Sequence, residues 1–344
     1  MSSEWQRTTV GEVCTKVFSG GTPTSTNSAY YDGGTIPWLR TKEVNYNRIY
    51  HTEQHITQLG FENSSVKLVP VHSVIVAMYG NGDTAGRVAI NKTPLTTNQA
   101  CCNLVIDESQ ADHRFIYYFL TGQYETLVDL KNGGAQQNLN GQLIKGFPIA
   151  LPCIAEQREI ARLLESLDDR IALLRETNAT LEAMAQALFK SWFVDFDPVR
   201  AKHEGRAPEA MSDPTAALFP NEFEESELGL VPKGWQVKYV YDAARVIYGA
   251  PFASNQFNTN QNGRPLVRIR DLRDEVPGVF TPEEHPKGYL IQPGDLVVGM
   301  DGEFRAYLWG GEPGWLNQRV CVFAPVSGVP AAFVHRSIEV APVV

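Results

Sequence analysis

The sequence has no run approaching the roughly 18 consecutive apolar residues of a membrane-spanning helix. Its polar start, MSSEWQRTT, lacks the apolar core of a signal peptide. Both absences predict a cytoplasmic protein with no membrane partner. Cysteine is scarce: Cys14, Cys101, Cys102, Cys153 and Cys321 form no CxxC pair and have no histidine at ligand spacing. That excludes a zinc ribbon or a redox dithiol and predicts buried free thiols in a reducing compartment. His51 and His55 stand four apart, as two metal ligands on a helix would, but Gly60 and the β-prone neighbours argue against a helix, so no metal is expected.

Catalytic signatures are missing as well. There is no GxxxxGK[ST] phosphate loop, no PD…ExK arrangement of carboxylates and lysine, no glycine-rich S-adenosylmethionine loop and no Asn/Asp-Pro-Pro-aromatic corner. No catalytic residue is assigned, and no cofactor is expected in this chain. The run Gly20-Gly21-Thr22-Pro23-Thr24-Ser25 can cradle a phosphate through its backbone N–H groups or simply make a tight turn.

What is present is ordinary globular composition at a length that predicts two or three domains, 344 residues with 43% hydrophobic and 20% charged. The net charge of −9 is unevenly spread. Residues 151–234 carry 9 Lys+Arg against 16 Asp+Glu, whereas 1–150 and 235–344 are each close to neutral and free to present a basic face.

The two near-neutral ends repeat one another. Trp5-Gln6 recurs as Trp235-Gln236, Leu39 to Lys42 as Val267 to Arg270, Val71 to Val76 as Pro293 to Val298, and Asn98-Gln99 as Asn317-Gln318. The offset shrinks in order from 230 through 228 and 222 to 219, as expected for a second copy with shorter loops. Within each copy, β-branched runs such as Ser73 to Met78 and Asp295 to Met300 alternate with Gly, Pro and Asn clusters and read as strands and turns. Asp112 to Leu130 reads as a helix closing the first copy. The fold class predicted is mixed α/β, two repeated domains joined by a long helix.

That helix lies between the copies. Ile160, Leu164, Leu167, Ile171, Leu174, Asn178, Leu181, Ala185, Leu188 and Trp192 alternate in spacings of four and three, a coiled-coil seam with one polar position at Asn178. No Pro or Gly occurs from Ala155 to Asp197, so a helix of about 40 residues, near 60 Å long, is predicted. Such a stripe must face another helix. The proline-rich, acidic segment 198–234 has no periodicity and reads as a surface connector.

Duplicated domains on a long helix form a ruler able to touch two short sequences on B-DNA. At this point the residues resemble a family, the specificity subunits of type I restriction-modification enzymes. The resemblance rests on Leu151-Pro152-Cys153-Ile154-Ala155-Glu156-Gln157-Arg158-Glu159-Ile160-Ala161 at the helix entry and on Phe189 to Phe196 at its exit. Gln137 to Gly141, Ile144 to Pro148, Ser226 to Gly229 and Pro232 to Trp235 are also similar. It implies target recognition domains at 1–150 and 235–344, a conserved spacer helix at 151–197 and a linker at 198–234. Further implied are a non-catalytic DNA-reading role at a bipartite site, double-stranded DNA and two methyltransferase (modification) subunits as partners, and separate restriction (motor) subunits. S-adenosylmethionine, ATP and magnesium would belong to those partners.

One departure from the family is expected. Phe333 aligns with Phe115, yet no second long helix follows it, and the tail His335 to Val344 does not resemble the first copy. This reads as a truncated or frame-shifted form, or one whose seam another chain fills. The alternative function is a stand-alone interaction protein that forms a homodimer through its long helix.

Candidate DNA-binding residues follow from the repeat. Arg40 and Lys42, and Arg268 and Arg270, are each two apart and on strands would project from one face. They can bind phosphate or, for Arg, the O6/N7 edge of guanine; alternatively they form a solvated face paired with Glu43 and Asp271. Arg87 and Arg305 lie in the matching glycine-bearing loops Tyr79 to Arg87 and Asp301 to Arg305. Asn98, Gln99, Asn317 and Gln318 can read adenine, but their strand-like surroundings favour structural hydrogen bonds.

Overall fold

In the computed structural model, which describes residues 5–80, 84–130, 138–227, 229–302 and 304–340, the β-branched runs are strands and the heptad segment is a single helix. The chain divides into two units, Met1–Glu176 and Thr177–Val344, each with its own core.

The first unit contains β1 Gln6–Thr9, β2 Cys14–Ser19, β3 Ile36–Leu39, β4 Asn47–Ile49, β5 Gln54–Ile56, β6 Leu68–Val69, β7 Val74–Ala77, β8 Val88–Asn91, β9 Leu95–Thr97, β10 Cys101–Ile106 and β11 Pro148–Leu151. Its helices are α1 Gln58–Glu62, α2 His113–Thr121, α3 Tyr124–Asp129 and α4 Gly141–Lys145, and α5 Ile154–Phe193 begins in it. One sheet runs β2-β10-β7-β8-β4, a second β5-β3-β9-β6, and β1 pairs with β11. Central β7, sequence VIVA, is buried at every position, which is why it reads as a continuous apolar run instead of an alternating one. Helix α2 starts where the Asp112 carboxylate accepts from Arg114 N (2.9 Å) and lays Phe115, Ile116 and Leu120 into the core.

The second unit holds α6 Asp197–His203, α7 Asp213–Ala216, β12 Phe223–Ser226, β13 Gly229–Pro232, α8 Val240–Ala243, β14 Ala244–Tyr248, β15 Arg264–Val267 and β16 Phe280–Thr281. After these come β17 Leu290–Ile291, β18 Leu296–Gly299, β19 Ala306–Leu308, β20 Gly314–Leu316, β21 Val320–Pro325 and α9 Ala331–Val340. Its sheets run β14-β21-β18-β19 and β16-β15-β20-β17.

Strand for strand, these two sheets repeat the larger and the smaller sheet of the first unit, less edge strand β4; among the described residues the β1–β11 pair has no counterpart, and β12 pairs with β13 instead. The one parallel pair of the smaller sheet is kept in register: Trp38 faces Thr96 in one copy and Leu266 faces Trp315 in the other, at the offsets of 228 and 219 already visible in the sequence. A close backbone approach is repeated too. A Cβ on Gly20 would lie 2.1 Å from the Thr97 carbonyl oxygen, and one on Gly249 would lie 2.0 Å from that of Asn317. Only glycine fits either place.

Helix α5 is unbroken over 40 residues. Elsewhere the structure departs from the sequence reading. The stretch Asp112 to Leu130 is two helices, because the chain leaves α2 at Gly122 and re-enters a helix only at Tyr124. The tail is no orphan: α9 follows the last strand of its sheet as α2 follows β10 and packs against β19 and β21. Segment 198–234 is not a bare connector. Val199 and Phe219 are buried, and Trp235 has ring contacts with Phe193 (5.9 Å), Phe196 (5.8 Å) and Phe219 (6.1 Å). Periodicity cannot register such packing, because the partners are scattered aromatics brought together in space. Cys153 is exposed, whereas Cys101, Cys102 and Cys321 are buried free thiols and Cys14 is half-buried. Burial pushes the Cys102 thiol up to about 12, so it stays protonated.

Candidate nucleic-acid interface

The two basic pairs do not sit on strands. In each copy the strand ends one residue earlier, and an acid three residues on takes the arginine's backbone N–H: Arg40 N donates to Glu43 Oε1 and Arg268 N to Asp271 Oδ2, both at 3.0 Å. That bond closes a single 3-10 turn, Thr41–Glu43 or Ile269–Asp271. The shared-face argument from period two therefore does not hold at these positions. The equivalence of the two pairs does, since both turns follow matching strands.

Within the turns the first and second basic residues differ. The Arg268 guanidinium is held by Asp271, with Nε to Oδ2 at 3.0 Å and Nη2 to Oδ1 at 3.3 Å. Arg40 donates to Glu53 Oε2 at 3.0 Å, Lys42 forms a close ion pair with the same carboxylate, and the buried Arg40 Nε has no partner among the described residues. Arg270 is exposed and has no ion pair with a described residue. Sequence reasoning named Glu43 as the counter-ion of Arg40 but missed Glu53. Glu53 lies 13 positions beyond Arg40, and the antiparallel β3–β5 pairing brings that stretch alongside.

Arg87 donates to Asn45 Oδ1 at 2.9 Å, while Arg305 is exposed and stacks 5.5 Å from the Tyr307 ring centroid. Residues 81–83 and 303 of their loops lie outside the described residues. Asn98 Oδ1 accepts from the Cys101 thiol, and the Gln99 side chain closely accepts the Thr22 hydroxyl. Gln99 and Gln318 are exposed just past their strands, not within them.

The phosphate-cradle reading of Gly20 and Gly21 fails on hydrogen bonding. Gly20 N donates to Cys101 O and Gly21 N to Thr97 O at 2.9 Å, so neither amide is available to an anion. His55 lies in β5 and His51 outside any helix, which removes their helical pairing. Among the described residues one group has ligand-like proximity, Glu182, His335 and Glu339. Arg336 already bridges its two carboxylates at 2.5 and 2.7 Å, so the group is an ion-pair cluster.

Helix α5 serves each unit at one end. At its entry Gln157 is 1% exposed: Oε1 accepts from Asp112 N at 3.0 Å and Nε2 donates to Pro152 O at 2.9 Å. This is the physical content of the Pro…Glu-Gln pattern. Ile160 and Ala161 enter the first core, and Glu165, Asp168 and Asp169 meet basic or hydroxyl groups of the same unit, such as Arg114 (3.0 Å) and Tyr118 (2.8 Å). Part of the acidity of the middle segment is thus neutralised within the fold. At the exit Phe189 and Phe193 pack on Phe333 of α9 (5.7 and 5.5 Å). Between these ends the predicted stripe is uncovered: Leu167, Ile171, Leu174, Asn178, Leu181 and Leu188 are exposed, while Ile160, Leu164 and Trp192 are half-buried. Among the described residues no helix is long and apolar enough to cross a membrane.

Comparison with known proteins places this architecture. The model of the type I restriction modification DNA specificity domain matches residues 2–183, just over half of the chain. The type I restriction enzyme MjaIX specificity subunit of Methanocaldococcus jannaschii is 30% identical over 267 residues, which cover 76% of this chain and 56% of that protein. The HindI specificity subunit of Haemophilus influenzae is 28% identical over 229 residues, 55% of this chain and 47% of that one. This chain spans about half the length of these relatives. Among solved structures, the S subunit of a type I restriction-modification system from M. genitalium shares the fold, with a TM-score of 0.50 at 15% identity, covering 98% of this chain and 77% of that one. With a doubled β-fold, a helix entry pinned by Gln157 and a family match running through the first copy into the long helix, the chain belongs to the type I restriction-modification DNA specificity family.

Proposed function

We propose that this chain reads a bipartite sequence in double-stranded DNA, one half with each repeat, and catalyses no reaction itself. In this reading the exposed stripe of α5 docks two modification subunits, which supply S-adenosylmethionine chemistry, and restriction subunits add the ATP- and magnesium-dependent step. The observation that carries the proposal is the repetition of one fold with the same arginine-and-acid turn at the same place. A duplicated reader with a non-repeated helix has the parts that two separate half-sites require. Lys42, Arg270 and Arg305 are the residues proposed to reach DNA, and Arg87 joins them from its loop. Arg40 and Arg268 cap the turns through their backbone N–H bonds to Glu43 and Asp271 and contribute positive potential, while Lys42, the more exposed of the two cations that share Glu53, would exchange that ion pair for a phosphate.

Co-expression with a modification subunit, followed by mapping of methylated adenine, tests the reading. A two-part motif is expected, with Arg270→Ala relaxing one half only. Failure of the two chains to co-purify, together with no methylation, rejects it. The uncovered stripe also supports a second reading, a homodimer through α5 with no part in methylation. Size-exclusion chromatography separates the two, because a homodimer persists when the modification subunit is added.

A further inference from the structure

One end of the first unit carries more than its basic turn. Asn98 N donates to Leu39 O at 2.9 Å, so Gln99 sits beside the turn that opens at Arg40. From Gln99 two adjoining hollows of about 400 and 550 Å³ run along the surface, with Ser19, Asn140 and Gly141 as shared walls. Gln99 and Asn138 line the first, and Gln142 and Lys145 line the second. Together they form one groove that starts at the candidate interface and continues to Lys145.

The segment that walls it is held from below. Leu139 and Ile144 are buried in the core, and Asn140 Oδ1 accepts from Gln142 N at 2.9 Å and Leu143 N at 3.0 Å, which fixes the turn into α4. With its apolar side chains committed to the core, the segment offers polar ones to the groove. The charge there has one sign. No carboxylate lines either hollow, and half-buried Lys145 has no ion pair with a described residue. Burial raises the pKa of the Cys102 thiol and the Lys145 charge acts against that rise, which places the ammonium near the groove floor. Ser19 and Gln142 are exposed, and their side chains have no hydrogen bond to a described residue. An elongated groove with one uncompensated cation and free hydroxyl and amide donors suits an anion carried on a chain.

We propose that this groove holds the sugar–phosphate backbone of one DNA strand, with Lys145 paired to a phosphate and Ser19 and Gln142 donating to phosphate oxygens beside it. The proposal rests on the DNA-reading role put forward above and adds a second contact region to the first repeat. Contacts of this kind carry no sequence information; they set the register of the reader on the duplex and leave base selection to the turn and loops. A neutral peptide in the same groove would leave the Lys145 charge uncompensated.

The full chain is titrated by anisotropy with a fluorescent duplex of arbitrary sequence at several salt concentrations. Lys145→Gln is expected to lower the slope of log affinity against log salt by about one, so that the loss of affinity between about 50 and 200 mM salt shrinks by about threefold. Lys145→Arg should keep the slope, and thermal unfolding should be unchanged in both variants. In the wild-type chain, the duplex is expected to protect Lys145 from an amine-acylating reagent, read by peptide mass spectrometry. An unchanged slope in Lys145→Gln, or no protection by a duplex that binds, overturns the groove assignment and leaves the DNA-reading role standing. Protection by inorganic phosphate but not by the duplex means a free-anion site and also overturns it. If the wild-type chain binds no duplex at any salt concentration, both the groove assignment and the DNA-reading role fall.

Discussion

Gln157 shows how one side chain can fix the start of a long helix. Its amide joins two backbone groups from different segments, the N–H of Asp112 and the carbonyl of Pro152, in a place water does not reach. Gln157→Ala orphans both, and buried groups left unpaired cost about 1–3 kcal/mol, so urea unfolding of the first unit is expected to shift by that much. Beside it, Asp112 gives a pH signature. Burial alone would raise its pKa, but hydrogen bonds and charge from Arg114 outweigh burial and hold the carboxyl below the usual aspartate range. A depressed folded pKa contributes stability that is present above the unfolded value and is lost as pH falls through the folded one. Thermal unfolding of the first unit is expected to weaken on acidification through that window, and Asp112→Asn should flatten this part of the profile. The family pattern marked Gln157 in the sequence. Its partner Asp112 was legible only as the start of a helix, because 45 positions separate them.

At the scale of elements, the heptad spacing and the absence of Pro and Gly foretold α5, and a continuous helix formed because nothing in 40 residues interrupts it. Which parts of the seam would be covered was not legible. The two ends are buried by their own units and the centre is bare, so similar leucines have opposite surroundings. Leu174→Glu, in the bare stretch, is expected to leave the isolated chain's stability within about 0.5 kcal/mol, as for surface substitutions generally. The same change should abolish co-purification with a modification subunit; retained co-purification would place the docking surface elsewhere. The 3-10 turns after β3 and β15 show the opposite case. Arg40, Lys42, Arg268 and Arg270 were found by repetition, but the strand period misplaced their side chains, because a local acid–amide bond ended the strand first.

For the whole molecule, a net charge of −9 is compatible with binding a polyanion only if local positive groups act at short range. Affinity for DNA is therefore expected to fall steeply with salt. Lys42→Ala should lower the slope of log affinity against log salt by about one if Lys42 meets a phosphate, and Arg270→Ala should cost about 1–3 kcal/mol at fixed salt if Arg270 reads a base. Titrations at several salt concentrations check both, and an unchanged slope and affinity would remove these residues from the interface. The sequence by itself determined that there are two copies of one fold and a long helix with an apolar edge, because repetition and periodicity are properties of order along the chain. Only the tertiary structure decided which charges are already spent on one another and that the proline-rich segment packs through its aromatics. Those outcomes depend on residues far apart in the chain meeting in space, and no spacing rule encodes such meetings.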